Sequence, residues 1–491
     1  MEIVEGTLQK PGLSGVALIF ACGTALFSDG YANGVIGQVV TLLKRIYGTE
    51  TILAHNYSAT LASLSQAGMI IGMLSFGYLS DKMGRKSGMM IATGIVGFFS
   101  VISAVSFGAH HSFSGMLAML GACRFLLGIG LGAEYPCGSV AASEQSEEEG
   151  IQKNAQHRWF VLATTTMVDL GFVMSSFVPL VLFWIFGDNH LRAVWRLSVG
   201  IAVVPAMAVF IWRLKMEEPT RFKKDSMVRG RTPYWLIFKR YWPSLVGICI
   251  NWFVYCFIAY PFSIYASTIV DNITHNSTSL GVVFGWATVI NLFYMPGTII
   301  GAFTVDYLGP KWTMIIGLVL QAIIGFIMSG LYVDLVHPIG GFAVVYGIFL
   351  SLGEFGPGNC LIMIAAKSGP TAVRGQFYGV AAAVGKVGGF VGTWAFPAMI
   401  DAFGGPNSLK GNTGPFWVGS AFAAFSAIVT FFMIRPLSHD GMVKEDEAFR
   451  EYLEAHGYDT SLMGIVDDST SQCDATVEEI KEDIKDSKLP V

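Results

Sequence analysis

The sequence predicts an all-α membrane protein with twelve transmembrane helices in two pseudo-symmetric six-helix bundles, and three observations carry that expectation. First, only 13% of the 491 residues are charged while 53% are hydrophobic, and mean hydropathy is +0.55. Soluble proteins carry roughly a quarter of their residues as Asp, Glu, Lys and Arg, so much of this surface must face lipid. Second, apolar stretches long enough to cross a bilayer recur twelve times. Third, a short loop motif recurs at corresponding points of the two sets of six, the mark of duplicated halves. The 57 glycines fit the same picture, because small residues let membrane helices approach closely.

The expected spans lie near 13–37, 57–80, 87–108, 114–142, 159–187 and 192–214, then 241–268, 278–305, 312–333, 339–366, 373–400 and 413–434. They divide the chain into a first bundle (1–214), a basic linker (215–240), a second bundle (241–434) and an acidic tail (435–491). The linker holds Arg221, Lys223, Lys224, Arg229, Arg231, Lys239 and Arg240. Short basic loops stay in the cytosol, which places both termini there and the 38–56 and 269–277 loops outside. Glycosylation sequons begin at Asn56, Asn272 and Asn276, in or beside those outer loops. The tail has 6 basic and 15 acidic residues, leaving 25 basic and 20 acidic elsewhere. A mildly positive membrane body suits an anionic solute. The tail reads as partly disordered, with one short amphipathic run from Glu445 to His456.

No enzyme signature is present: there is no GxSxG, HExxH or Walker A pattern. The seven cysteines lack metal-ligand spacing, so no metal or other cofactor is expected. Gly128-Ile-Gly130-Leu-Gly132-Ala133 fits a dinucleotide fingerprint, but it lies inside an apolar helix without a preceding strand. Nothing suggests nucleic-acid binding. The repeated motif is Gly77-Tyr-Leu-Ser-Asp81-Lys-Met-Gly84-Arg85, echoed by Gly301-Ala-Phe-Thr-Val-Asp306-Tyr-Leu-Gly309-Pro-Lys311. Asp81 and Arg85 can form a charge lock that opens and closes with access state, with Asp306 as its counterpart. Charges deep in spans default to function, and Asp29, Arg124, Glu134, Asp169, Glu354 and Lys386 all fall there.

The Gly77–Lys86 loop resembles that of the major facilitator superfamily. Span four, Arg124-Phe-Leu-Leu-Gly128 through Glu134-Tyr135-Pro136 to Ser143-Glu144, resembles the phosphate:proton symporter branch. Asn251-Trp252-Phe253 with Tyr260, Phe355-Gly-Pro357 and Gly385-Lys386-Val-Gly388 agree. Within that branch, Phe27-Ser-Asp29-Gly30-Tyr31 and the tail run Glu454-Ala-His-Gly457-Tyr458-Asp459 look most like fungal glycerophosphodiester permeases. The resemblance implies a multi-pass plasma-membrane protein that imports glycerophosphoinositol or glycerophosphocholine by proton symport and rocker-switch motion, with phosphate as a lesser substrate. It implies substrate contacts from Tyr135, Trp252, Tyr260, Asn359 and Lys386, with Lys386 facing the phosphoryl charge or else pairing with a carboxylate such as Glu354. Proton coupling is expected of Asp29 and Glu134, because a carboxylate desolvated near the midplane can take up a proton more readily, and Arg124 can modulate it by approaching or leaving. The partners are then an organic phosphate anion, a proton and the lipid bilayer. Asp169 stands where the phosphate carriers have Gln, which favours an organic head group over inorganic phosphate. Cys256 and Ala32 replace carboxylates, and Gly358 replaces their Asn, with Asn359 next to it. A relative carrying another organic anion or metabolite, and a nutrient transceptor, are the competing readings.

Overall fold

The computed structural model describes residues 15–53, 56–148, 151–228, 232–265, 279–336, 339–405, 408–461 and 463–464. Among them there are helices and no strands, and eleven helical stretches are long and apolar enough to cross a membrane. The first six are α1 (Gly15–Tyr47), α2 (Tyr57–Met83), α3 (Arg85–Ala104), α4 (Phe113–Ser146), α5 (Lys153–Phe186) and α6 (Asp188–Arg213). After α7 (Tyr234–Ile264) comes one stretch of 51 residues, Leu280–Gly330. At 1.5 Å per residue it would extend about 77 Å, against a hydrocarbon core of about 30 Å. It turns back at Gly309, whose φ of +76° only glycine adopts readily. It therefore supplies two crossings, α8 (280–308) and α9 (310–330). Gly84, at φ +99°, makes the equivalent turn between α2 and α3. With α10 (Gly340–Lys367), α11 (Thr371–Ala402) and α12 (Leu409–Met433) the crossings number twelve.

Two ends differ from expectation. α1 runs ten residues past its expected limit, because Val39, Val40, Leu42 and Leu43 stay buried and only Gly48, at φ +90°, ends it. In the tail, the expected amphipathic run Glu445 to His456 falls in a helix that starts four residues earlier, α13 (Gly441–Ala455), and is docked, burying Met442, Phe449 and Leu453. Residues 465–491 lie outside the described residues.

Inside each half one helix carries a π turn at the same position in the order. In α4 it spans Tyr135–Ser139 around Pro136, and in α10 it spans Glu354–Gly358 around Pro357. Proline lacks an amide hydrogen and its ring collides with the preceding turn, so the helix widens by a residue there. Large apolar side chains such as Trp184, Ile185 and Phe432 point outward, as a lipid-facing surface requires.

The halves meet mainly through α2 against α11 and α5 against α8. The contacts are backbone-close: a Cβ on Gly379 would lie 2.4 Å from the Met73 carbonyl oxygen. Within the first half α2 and α4 pack as tightly, with a Cβ on Gly132 falling 2.2 Å from the Met69 carbonyl.

On the side where the linker lies, each half grips the start of a helix in the other. Asp81 accepts from the backbone amides of Gly375 and Gln376, both at 2.9 Å, at the start of α11. Asp306 accepts from the Arg158 amide at 3.2 Å near the start of α5. A carboxylate at a helix N-terminus meets both free N–H groups and the positive end of the dipole. Asp81 also pairs with Arg85 at 2.5 Å. Asp306 lacks that lock, because its residue four on is Pro310, and Lys311 instead donates to the Phe431 carbonyl. Glu144 joins Arg85 and Arg374, each at 3.2 Å, and Glu147 joins Lys367 at 2.9 Å. The tail helix completes this layer: Asp446 accepts from the Thr371 amide and hydroxyl at 2.7 Å and pairs with Arg374 and Arg221. Nearby, burial and the neighbouring Asp446 push the Asp225 carboxyl above its usual range, against the pull of Arg450. On the opposite side the Trp394 indole donates to Ser63 at 3.0 Å, so the halves touch at both ends.

Two expectations follow from this packing. Gly132→Val forces α2 and α4 apart at a cost of about 1–3 kcal/mol or more, read as a lower thermal unfolding midpoint of the purified protein. Asp446→Ala leaves Arg374 with Glu144 but removes the acceptor of the Thr371 amide and hydroxyl, and costs about 1–3 kcal/mol; an unchanged midpoint contradicts a structural role for the docked helix.

Candidate functional site

The two π turns face a cavity midway between the ends of the helices. It is lined by Tyr135 of α4, Thr165, Asp169 and Phe172 of α5, one face of α7 between Trp252 and Tyr260, Tyr294 of α8, Glu354 and Gly358 of α10, and Lys386 of α11. On α7 the lining residues Trp252, Tyr255, Cys256, Ala259 and Tyr260 follow helical spacing, one face of one helix. The space open to the centre of a water molecule is about 30 Å³, room for about two waters. The halves are closed around it.

One end of the cavity is built on Lys386, which is 1% exposed. Its ammonium donates to Tyr260 Oη, to Tyr135 Oη at 3.3 Å, and to Asp29 Oδ2 at 3.3 Å. It also lies over both rings, 4.7 Å from the Tyr135 centroid and 4.1 Å from that of Tyr260. Both phenols donate to Asp29 Oδ2, Tyr135 at 2.5 Å and Tyr260 at 3.1 Å, while Asn33 donates to Oδ1 at 2.6 Å. This cluster ties α1 and α4 of the first half to α7 and α11 of the second. Trp252 stands beside it, its indole against the Cα of Gly385 and 6.5 Å from the Tyr135 ring. The partner of Lys386 is therefore Asp29 and not Glu354.

The other end holds two carboxylates. Asp169 is 1% exposed and its Oδ2 has no hydrogen-bond partner. Glu354 is 5% exposed, and its Oε1 accepts from Tyr255 Oη at 2.7 Å. Its Oε2 lies where a Cβ on Gly358 would come within 2.0 Å, so the missing side chain at 358 is what admits the carboxylate. Among the described residues no Lys, Arg or His forms an ion pair with either group.

Three expected site residues sit elsewhere. Glu134 faces away from the cavity, accepting from Thr93 at 2.7 Å and pairing with Arg213 through both oxygens at 2.8 Å. Successive residues on a helix point about 100° apart, so Glu134 and Tyr135 meet different surroundings although they are neighbours in sequence. Arg124 donates to the Ala32 carbonyl at 2.6 Å, and its Nε and Nη2 have no partner. Asn359 exchanges hydrogen bonds with Thr298, joining α10 to α8 outside the lining. Of the three sequons, Asn56 is exposed just before α2, on the side opposite the linker, while Asn272 and Asn276 lie outside the described residues. Tyr255, Tyr294 and Phe172 were not anticipated. Only Tyr255 had a usable signal, its place on the Trp252–Tyr260 stripe.

The sequence profile of the "Sugar (and other) transporter" family matches residues 16–227 and 223–439. The glycerophosphocholine permease GIT4 of Candida albicans is 46% identical over 449 residues, covering 91% of this chain and 83% of that one. The major glycerophosphoinositol permease GIT3 of the same organism is 42% identical over 459 residues, covering 92% and 85%. The glycerophosphoinositol transporter 1 of Saccharomyces cerevisiae is 30% identical over 476 residues, covering 96% and 89%. Among solved structures, the proton:xylose symporter XylE bound to 6-bromo-6-deoxy-D-glucose superposes with a TM-score of 0.72 at 17% identity, covering 89% of this chain and 98% of that one. The inward-open form of XylE from E. coli gives 0.63 at 18% identity, covering 88% and 99%. These likenesses join the twelve-helix architecture to the buried site between its halves: the chain belongs to the sugar (and other) transporter family of the major facilitator superfamily, in the group of the fungal glycerophosphodiester permeases, and is a transporter, not an enzyme.

Proposed function

We propose that this protein imports glycerophosphodiesters across the plasma membrane by proton symport, with phosphate as a lesser substrate. The observation that carries the reading is Lys386, a cation buried between the halves whose counter-ion, Asp29, can be exchanged for a solute anion. A phosphodiester carries one negative charge and several acceptor oxygens. Entering the site, it takes the ammonium from Asp29 and receives the hydroxyls of Tyr135 and Tyr260, which now donate to that carboxylate.

Asp29 is then left without its counter-charge in a low-dielectric site, and taking a proton relieves the cost. Anion and proton thus bind as a neutral pair. Because Asp29 and Tyr135 belong to one half and Tyr260 and Lys386 to the other, loading and unloading bear directly on whether the halves stay together. Glu134 is held by Arg213 and stays out of this exchange; Arg124, with two free donor atoms, remains available to Asp29 when Lys386 leaves it. The basic linker argues for a cytosolic linker side, with both termini there and Asn56 outside. The Asp81, Arg85 and Asp306 contacts then form the inner gate, broken when the cavity opens to the cytosol.

Uptake of labelled glycerophosphocholine, glycerophosphoinositol and phosphate into a transporter-deficient yeast tests this. Wild type accumulates at least one phosphodiester, and a protonophore abolishes the accumulation. Lys386→Met lowers uptake by about a hundredfold or more, since it leaves Asp29 buried and unpaired. The neutral double variant Asp29→Asn, Lys386→Met, which leaves neither charge unpaired, is expressed at the wild-type level and still does not take up substrate. Absence of uptake of every substrate by wild type refutes the reading.

A further inference from the structure

The exchange at Lys386 accounts for the phosphoryl group and leaves the opposite end of the cavity unexplained. Asp169 and Glu354 line the same space, one from each half, and neither has a basic partner among the described residues. Every other carboxylate buried at this depth is matched: Asp29 by Lys386 and Glu134 by Arg213. Two unmatched carboxylates on one water-poor cavity call for a positive charge between them. The walls there are aromatic. Tyr255 holds Glu354 through its hydroxyl, and Phe172 lies 5.7 Å from Tyr294 and 6.2 Å from Tyr260, centroid to centroid. Trp252 stands on the same face of α7, one turn from Tyr255. Carboxylates behind aromatic faces are the chemistry that receives an alkylated ammonium: the rings meet its methyl-clad surface, and the carboxylates supply charge without needing an N–H donor.

Resting on the permease reading above, we infer that Asp169 and Glu354, with Tyr255, Tyr294 and Phe172, form a head-group subsite for a quaternary ammonium. The substrate it selects is a zwitterionic glycerophosphodiester, with its phosphoryl group on Lys386 and its cationic head group on the acidic pair. The cavity is thus bipolar, and the substrate lies across the interface between the halves at both of its ends. Gly358 is part of the device, because any side chain there displaces Glu354 from the wall. A neutral polyol head group gains hydrogen bonds from the two carboxylates but brings no charge to set against them.

The test compares uptake kinetics of glycerophosphocholine and glycerophosphoinositol in transporter-deficient yeast for wild type, Glu354→Gln, Asp169→Asn and Glu354→Asp. The expected result is a rise in KM for glycerophosphocholine of at least about tenfold in the Gln and Asn variants. KM for glycerophosphoinositol changes by less than about threefold, and Glu354→Asp recovers most of the loss. Selectivity is the readout because a general packing defect moves both substrates together. Equal changes for the two substrates, or no change for either, overturn the inference while leaving the permease reading intact, as does a wild type that carries glycerophosphoinositol alone. A wild type that carries neither overturns both.

Discussion

A charge in the hydrocarbon region has to meet an opposite charge or a full set of hydrogen bonds, and much of this structure follows from that requirement. Arg213 meets Glu134 and two carbonyls of α1, fastening α6 to α4 and α1. Glu144 meets two arginines, one from each half. The first match fastens helices within one half, and the second ties the two halves together on the linker side. The match of Lys386 to Asp29 is of another kind, because the two phenols around it and the adjoining cavity give a solute anion somewhere to enter. The requirement is left open at Arg124, which has two donor atoms without partners, and at the acidic pair Asp169 and Glu354, and of these only the pair lines the cavity, where cargo chemistry can be read from it.

The same economy governs the linker side. Asp81 and Asp306 perform corresponding tasks, each accepting backbone amides at the beginning of a helix in the other half. The halves are therefore held by hydrogen bonds to helix ends as much as by ion pairs. Breaking them exposes amide groups to water, where they are readily satisfied, so the closed arrangement is stable without being irreversible. The tail helix adds Asp446 to this layer and so places part of the C-terminal segment within the structure that the halves must rearrange.

Much of the architecture was legible because lipid imposes simple rules on sequence. Span number, the Gly84 and Gly309 turns and the Asp81/Asp306 correspondence all follow from local spacing. Pairings across long separations were not legible. Glu134 and Arg213 are 79 positions apart, and Asp29 and Lys386 are 357 apart, so no spacing rule links them. The resemblance puts Glu134 at the substrate site beside Tyr135, but neighbours on a helix point about 100° apart, and Glu134 turns to Thr93 and Arg213 instead. The amphipathic run in the tail is legible from Glu445 to His456, but not that Met442, Phe449 and Leu453 on its apolar face dock it against the body. Asp169 and Glu354 both stand out in the sequence as charges deep in spans, but their meeting on one cavity wall, and the room that Gly358 gives Glu354 there, are seen only in the folded chain.

The widened turns in α4 and α10 also say something about descent. A π turn is, in effect, one residue inserted into an α-helix, and removing it would rotate everything downstream by about 100°. Both halves carry such an insertion, in the fourth helix of each, beside a proline and next to the cavity. Losing it from either half in the course of descent would turn the downstream part of that helix away from the cavity, so each half has to keep its own widened turn for as long as the two share one site.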